Sequence, residues 1–205
     1  MALLDNCVQC GDCSVPIPPA SFNECPTPST GGFSYIFLAV IGNPIVADVT
    51  DSAALLTELQ TRIDNAAVAN ATTMRALKVT NGVMPAPSDT ILPEQGCYGT
   101  IVTNSERTIT FSLLELTQEN LDFQWKSECA SGIRALLWAL DDNCVFYGGQ
   151  SGIAVTIRGV QTFAGAGKAD LQTLDFTASW SGCSPQKTIT TINPCAENFA
   201  FLPTP

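Results

Sequence analysis

Four cysteines near the N-terminus have the residue type and spacing that bind metals or form cross-links. Cys7, Cys10 and Cys13 follow one another at intervals of three, and Cys25 comes later, directly before Pro26. Thiolates at this interval ligate iron–sulfur clusters, but the fourth ligand of such a run lies about four positions after the third. Eleven residues separate Cys13 from Cys25, so the spacing disfavours an iron–sulfur cluster.

Three other uses of these thiols remain open. Four thiolates complete the tetrahedral shell of zinc, so a zinc site is chemically possible. Disulfides are the usual product once a protein leaves the cell, whereas a cytosolic protein keeps its thiols reduced. Redox chemistry is the least favoured use. We favour disulfide cross-links or inert thiols over a metal, and we expect no cofactor.

No other motif in the sequence predicts catalysis. The chain contains no histidine, which excludes Ser-His and Cys-His pairs, and a Ser-Lys pair has no local signature. The loop at 165–168 ends in Gly-Lys, but Thr162 and Ala169 stand where a phosphate-binding loop needs Gly and Ser or Thr. Asp141 and Asp142 are adjacent carboxylates in a turn-forming cluster, where such residues serve the turn. The sequence therefore predicts a protein that is not an enzyme.

Composition indicates one core whose surface is covered by other subunits. The chain has 205 residues and only 14% of them are charged, against about a quarter in ordinary globular proteins. Much of the surface is therefore neutral or buried in an assembly, and we favour the assembly. The net charge of -10 disfavours binding to nucleic acid through phosphate neutralisation.

The N-terminus and the apolar runs predict no membrane segment. Residues 1–7 lack the basic start and long apolar stretch of a signal peptide. The longest uncharged apolar run, 33–47, is broken by Gly42, Asn43 and Pro44 and is shorter than the ~20 residues that a membrane helix needs. We expect a soluble chain that is made in a cytoplasm.

Three parts are predicted along the chain: an N-terminal arm at 1–32, rich in Cys and Pro, a β-rich core at 33–192 and a C-terminal arm at 193–205. In the first half of the core, 33–41 is a strand and Thr50 or Asp51 caps a helix. The helix carries one apolar stripe, made of Leu55, Leu56, Leu59 and Ile63. A strand at 74–80 and a long loop at 81–99 follow, and the loop is long enough to reach a neighbour.

The second half of the core has two predicted hairpins after a strand and a helix. The strand at 107–117 alternates apolar and polar residues. The helix at 119–129 carries Leu121, Trp125 and Cys129 on one side. The hairpins join 133–140 to 144–147 and 153–163 to 171–180, and a short strand at 188–192 comes last.

This succession of elements resembles the tail tube proteins, the major tail subunits of long-tailed bacteriophages, over roughly 100–182. The resemblance rests on the runs 106–117, 119–125, 136–148 and 168–180, which give a strand, a short helix, a hairpin ending in Tyr-Gly and two long strands. The cysteine-rich first 30 residues and the long loop depart from a typical small tube subunit. They leave open another self-assembling role, such as a capsid decoration protein, a head–tail component or a filament subunit.

The resemblance implies a mainly β fold, a β-sandwich or barrel-like core with one or two short helices. Its sheet is expected to join those of neighbours into a ring, commonly a hexamer, and the rings to stack into a tube for genome delivery. Ring closure is expected to cover the edges of the hairpin at 153–180. Other virion tail proteins and passing DNA are the further expected partners. The location implied is the virion, after assembly in the host bacterial cytoplasm.

The last long strand has a polar face that suits such a channel. Thr173, Asp175, Thr177 and Ser179 share one face, since side chains of a strand alternate. Leu174, Phe176, Ala178 and Trp180 share the other face. The polar face is expected either to line the channel, where carboxylates repel phosphate, or to meet the outside solvent.

Overall fold

The computed structural model describes residues 32–64, 73–92, 101–162 and 173–192. Within these ranges the chain is mainly β, with two helices. The strands are β1 (Phe33–Ala39), β2 (Met74–Val83), β3 (Ser88–Leu92), β4 (Ile101–Leu113), β5 (Ile133–Asp141), β6 (Val145–Tyr147), β7 (Ile153–Thr162), β8 (Thr173–Ser181) and β9 (Lys187–Ile189). The helices are α1 (Ser52–Asp64) and α2 (Gln118–Cys129).

Six strands close into an antiparallel barrel. The pairs run β1–β2, β2–β4, β4–β8, β8–β7, β7–β5 and back through β5–β1. Closure leaves none of these six strands with a free edge along the barrel, which removes the template for edge-to-edge aggregation. The sequence-based expectation of a barrel-like β fold is confirmed.

The interior of the barrel is filled by side chains. Alternate residues of every barrel strand point inward, and Phe111 and Phe176 stack there with ring centroids 5.3 Å apart. The interior members with no exposed surface include Ile36, Ile109, Leu137, Ala139, Ile157, Leu174 and Ala178. The barrel is therefore a packed core and holds no channel of its own.

A second apolar cluster lies outside the barrel, where α1 covers β1 and β5. Leu55, Leu59 and Ile63 of α1 are buried there against Phe37 and Trp138. Asp51 begins the helix, because its Oδ1 accepts hydrogen bonds from the amides of residues 53 and 54 at 3.1 Å. The predicted stripe and cap of α1 are confirmed, with Leu56 partly buried at the edge of the cluster.

The other helix, α2, closes one end of the barrel. Phe123 packs on Phe176 at 5.2 Å, and Gln124 Nε2 donates to the Gly159 carbonyl at 3.3 Å. Thr117 caps the helix by accepting from the amide of residue 120 at 3.2 Å. The helix forms as predicted, but the side that carries Leu121, Trp125 and Cys129 is not its buried side, since Trp125 is 62% exposed and Cys129 is exposed.

The predicted loop at 81–99 is also corrected. β2 continues to Val83, and β3 forms inside the supposed loop, where it pairs with the first half of β4. β4 begins at Ile101 rather than 107 and ends at Leu113 rather than 117. Asn81 adopts φ 53°, and Gly82 lies so close to Phe33 that a side chain has no room there. Asn and Gly are typical of turns, so the sequence pattern predicts a loop where β2 in fact continues.

The remaining elements extend one end of the barrel. The hairpin of β5 and β6 forms as predicted, and β9 adds to β6 with Val145 opposite Ile189. The long hairpin of β7 and β8 is confirmed, while its connecting residues 163–172 lie outside the described ranges, as do both predicted arms apart from Gly32. Among the described helices, neither is long and apolar enough to cross a membrane.

Candidate functional site

The outer surface of β4, β8 and β7 forms a wall rich in hydroxyl groups. Its residues alternate with those of the barrel interior, so they point away from the core. We call this surface the polar wall, and it consists of Thr108, Thr110, Ser112, Thr156, Thr173, Asp175, Thr177 and Ser179. The predicted two faces of β8 are therefore confirmed.

Asp175 ties the strands of the polar wall together. Ser112 Oγ on β4 donates to Asp175 Oδ1 at 2.6 Å, and Thr173 Oγ1 donates to Asp175 Oδ2 at 3.3 Å. Asp175 is half-buried, and its carboxylate provides a hydrogen-bond acceptor for the hydroxyl of Ser112, a residue that is 8% exposed. Asp175 thus has a cross-strand structural role as well as its charge.

A shallow groove crosses the polar wall near β5. It is a cavity of about 280 Å³. Its lining residues are Ile41, Glu106, Arg134, Ala154, Val155, Thr156, Ser179, Trp180 and Ser181. Arg134 stands opposite Thr156, and Thr156 stands opposite Ser179, so a guanidinium and two hydroxyls form one row across three strands.

Two arginines of this surface have no acidic partner among the described residues. Arg134 and Arg158 are exposed, and the ion pairs found in the described ranges are Glu58–Arg62 and Arg75–Glu119. Arg158 occupies the next outward position on β7 after Thr156, so the two guanidinium groups lie on neighbouring strands. Sequence reasoning missed both arginines, although each is a basic residue inside a mainly apolar run of a predicted strand.

The two ends of the barrel differ. α2 joins the end of β4 to the start of β5, and Trp125, Leu114 and Leu116 are exposed on or just before it, at 62%, 47% and 41%. The opposite end, at the finish of β5, carries Gly32 and Thr190. There Asp142 N donates to the Gly32 carbonyl at 3.2 Å, and Thr190 N donates to the Cys144 carbonyl at 2.9 Å.

The hairpin of β3 and β4 also leaves from that opposite end. The first half of β4 pairs with β3, and the second half, from Glu106 onward, belongs to the barrel. Residues 93–100 at its tip lie outside the described ranges. The α2 end of the barrel therefore presents exposed Trp125, Leu114 and Leu116, and the opposite end carries the β3–β4 hairpin together with exposed Val83 and Ile189.

Of the candidates that the sequence offered for chemistry, Asp141 and Asp142 lie in the described ranges. Cys7, Cys10, Cys13, Cys25 and the loop at 165–168 lie outside the described residues. In the described ranges no three His, Cys, Asp or Glu side chains come close enough to hold a metal ion.

Asp141 serves the turn between β5 and β6. It is 4% exposed and its carboxylate accepts from the amides of Asn143 at 2.9 Å and Val145 at 2.8 Å. It also accepts from the Tyr147 hydroxyl at 3.1 Å. Burial, with the nearby Asp141 carboxylate, raises the pKa of Tyr147 to about 12. Asp142 is exposed and bonds to Ser34, so the two carboxylates point to different partners.

Comparison with protein-family models, curated proteins and solved structures gave no match.

Proposed function

We propose that this chain is a structural virion protein, a tail tube subunit that self-assembles into stacked rings forming the channel for genome delivery. The proposal rests on the order of elements in the sequence, on the closed barrel and on the scarcity of charge. It assigns no reaction and no cofactor to the chain. Its partners are further copies of itself in a ring, commonly a hexamer in the family it resembles, and other virion tail proteins.

The observation that carries the proposal is the difference between the two ends of the barrel. Exposed Trp125, Leu114 and Leu116 lie at the α2 end, while the β3–β4 hairpin projects from the other end. Exposed apolar side chains mark interaction sites when they gather on one surface. A molecule with two unlike ends is suited to head-to-tail stacking, which gives rings or filaments.

The closed barrel changes how the sheet takes part in a ring. β7 pairs with β5 and β8, and β8 pairs with β7 and β4, so the edges of the long hairpin are covered within one chain. The expectation that ring closure covers them is therefore wrong. The strands left with one partner in the described structure are β3 and β9, and the first half of β4 also pairs on one side.

The channel, in this proposal, lies between subunits, because the barrel interior is filled. The net charge of -10 repels phosphate at long range, so DNA passes without adhering. The polar wall faces either this channel or the outside solvent. The assembled location is the virion, and assembly takes place in the cytoplasm of the bacterial host.

Negative-stain electron microscopy of the purified full-length protein tests the proposal. Rings with a central hole, or tubes built from them, are the expected particles. Flat arrays or filaments without a lumen support the second candidate, another self-assembling role such as capsid decoration or a head–tail component. A monomeric protein that is brown in solution supports the less favoured alternative, a cysteine-ligated iron–sulfur protein.

A further inference from the structure

Trp125 is held outside the fold by the packing of its own helix. The neighbouring Phe123 and Gln124 are fixed on the barrel side of α2, by Phe176 and by the Gly159 carbonyl. Trp125 therefore points outward and is 62% exposed. Tryptophan is strongly enriched among the residues that dominate binding at protein interfaces. Because the packing of α2 keeps Trp125 from turning inward, its side chain stays exposed and available to a partner.

Charged side chains surround Trp125 on the exposed side of α2. Asp122 lies three positions before it, Glu128 three positions after it, and Lys126 is its neighbour in sequence; all three are exposed. Residues three apart on a helix are neighbours on its surface. The tryptophan is therefore flanked by carboxylates along the helix, with an ammonium group beside it.

The groove on the polar wall has the reverse pattern of charge. Arg134 lines the groove and Arg158 stands next to it, while Glu106 lies at its other side. Exposed Ile41 and Ala154 supply the apolar surface of the groove. The cavity of about 280 Å³ falls just below the roughly 300–1,000 Å³ of pockets for drug-sized ligands, a size suited to one large side chain.

We infer that the groove of one copy binds Trp125 and α2 of a second copy, head to tail. In this contact Arg134 and Arg158 meet the carboxylates of α2, and Glu106 meets Lys126. Guanidinium groups stack on indole rings as well as pairing with carboxylates. The inference rests on the self-assembly in the proposed function and names the surfaces that carry it.

Charge favours a second copy over nucleic acid as the occupant. Glu106 inside the groove and the net charge of -10 repel phosphates, whereas α2 offers an indole and charges of both signs. We call Trp125 and the charged residues around it on α2 the knob. Knob and groove are different surfaces of one chain, so the contact is heterologous and repeats from copy to copy. Repetition closes into a ring when the rotation allows it.

Two single substitutions and their mixture test this contact. Trp125→Ala removes the indole of the knob and leaves the groove intact. Arg134→Glu reverses a charge in the groove and leaves the knob intact. We expect each variant alone to need at least about 30-fold more protein for half-assembly, the factor that loss of one dominant interface residue gives. Mixed in equal amounts, the two variants should form a one-to-one dimer in sedimentation velocity, because one intact knob still meets one intact groove.

Lys78→Glu is the matched control for Arg134→Glu, since Lys78 is exposed on β2 away from the groove. It should assemble like the wild type, and circular dichroism should show all variants folded. Folded variants that assemble as the wild type does, or whose mixture stays monomeric, overturn the contact while the proposed function stands. A wild-type protein that is monomeric at every concentration overturns both.

Discussion

Glu58 and Arg62, one turn apart on α1, form an ion pair with Oε1 and Nη2 2.6 Å apart. The pair holds the loop that leads from β1 to α1. Glu58 accepts from the amides of Val46 and Ala47, and Arg62 donates to the carbonyls of Asn43 and Pro44. Because Arg62 is 9% exposed, its charge depends on Glu58 and on these carbonyls for compensation.

Glu58→Gln should therefore destabilise the protein by about 2 kcal/mol, since a nearly buried arginine loses its counter-charge. Glu119→Gln is the matched control. Its ion pair with Arg75 is far more exposed, so its loss should cost less than about 1 kcal/mol. Urea unfolding of the two variants measures both costs, and equal costs contradict the buried character of the first pair.

The same pair predicts a dependence on pH. Burial alone raises the pKa of Glu58, but hydrogen bonds from Val46 and Ala47 and the charge of Arg62 outweigh it and hold the pKa below the ordinary value. The stabilisation is therefore complete above the unfolded pKa of about 4.3 and disappears as the pH falls through the folded pKa. The stability difference between wild type and Glu58→Gln should shrink in acid, and a constant difference contradicts the assignment.

The ring of Trp138 leaves no room for a side chain at Gly152, in the turn after β6. A Cβ placed on Gly152 lies 2.6 Å from Trp138 Cζ2, and the φ of Gly152 is 71°. Gly152→Ala should cost about 2–4 kcal/mol, because overpacking adds to the strain of a positive φ. Gly42 has φ 94° and open space around it, so Gly42→Ala isolates the backbone strain, about 1 kcal/mol. Thermal unfolding should rank the two variants in this order, and the reverse order contradicts the packing against Trp138.

Phe176 distinguishes the two faces of β8. Its ring is 1% exposed and contacts both Phe111 and Phe123, so Phe176→Asp should cost several kcal/mol by burying an unpaired charge. Thr177→Asp, the neighbouring change on the polar wall, should stay within about 1 kcal/mol of wild type. Chemical denaturation of both variants measures the contrast, and similar losses contradict the assignment of faces.

Alternation along the chain predicted the parts of the fold in which one face is buried. The faces of β8, the cap and stripe of α1, and both hairpins followed from spacing and turn residues, because local sequence determines each of them. Barrel closure did not follow. It depends on the pairing of β1 with β5, about 100 residues apart in sequence, which no local pattern encodes.

The buried side of α2 and the composition of the groove both depend on contacts between residues far apart in sequence. The spacing of four put Trp125 on one side of α2 with Leu121 and Cys129. The side that packs against Gly159 and Phe176 instead carries Phe123, Gln124 and Ser127. Gly159 makes room for this helix, since a Cβ there lies 2.6 Å from Phe176. The groove joins residues from β4, β5, β7 and β8 and from the segment after β1, so its composition depends on tertiary pairing.

Tyr147 should titrate late. Burial, reinforced by Asp141, raises its pKa to about 12 from about 10 in an unfolded chain. The folded state therefore holds its proton longer, and this contribution to stability is complete below about pH 10 and is lost as the pH rises through about 12. Ultraviolet titration of tyrosinate should show a late-titrating group that Tyr147→Phe removes, and a titration curve that Tyr147→Phe leaves unchanged at high pH contradicts this assignment.

Asp175 separates the two orientations that the proposed function leaves to the polar wall. If the wall lines the channel, Asp175→Lys places a ring of cations around passing DNA, and genome release from particles carrying it should slow. The delay should be largest at ~0.01 M salt, where charges act over ~30 Å, and should fade at ~0.15 M, where they act over ~8 Å.

Asp175→Asn is the matched control, because the amide oxygen still accepts a hydrogen bond from Ser112 or Thr173 while the charge is removed. Particles with this variant should release DNA at nearly the wild-type rate, since a neutral wall still does not grip phosphate. The lysine variant loses those hydrogen bonds as well, so its particles are first compared with wild type in number and tail length. If intact Asp175→Lys particles release DNA at the wild-type rate at low salt, the polar wall lies on the outside of the tube.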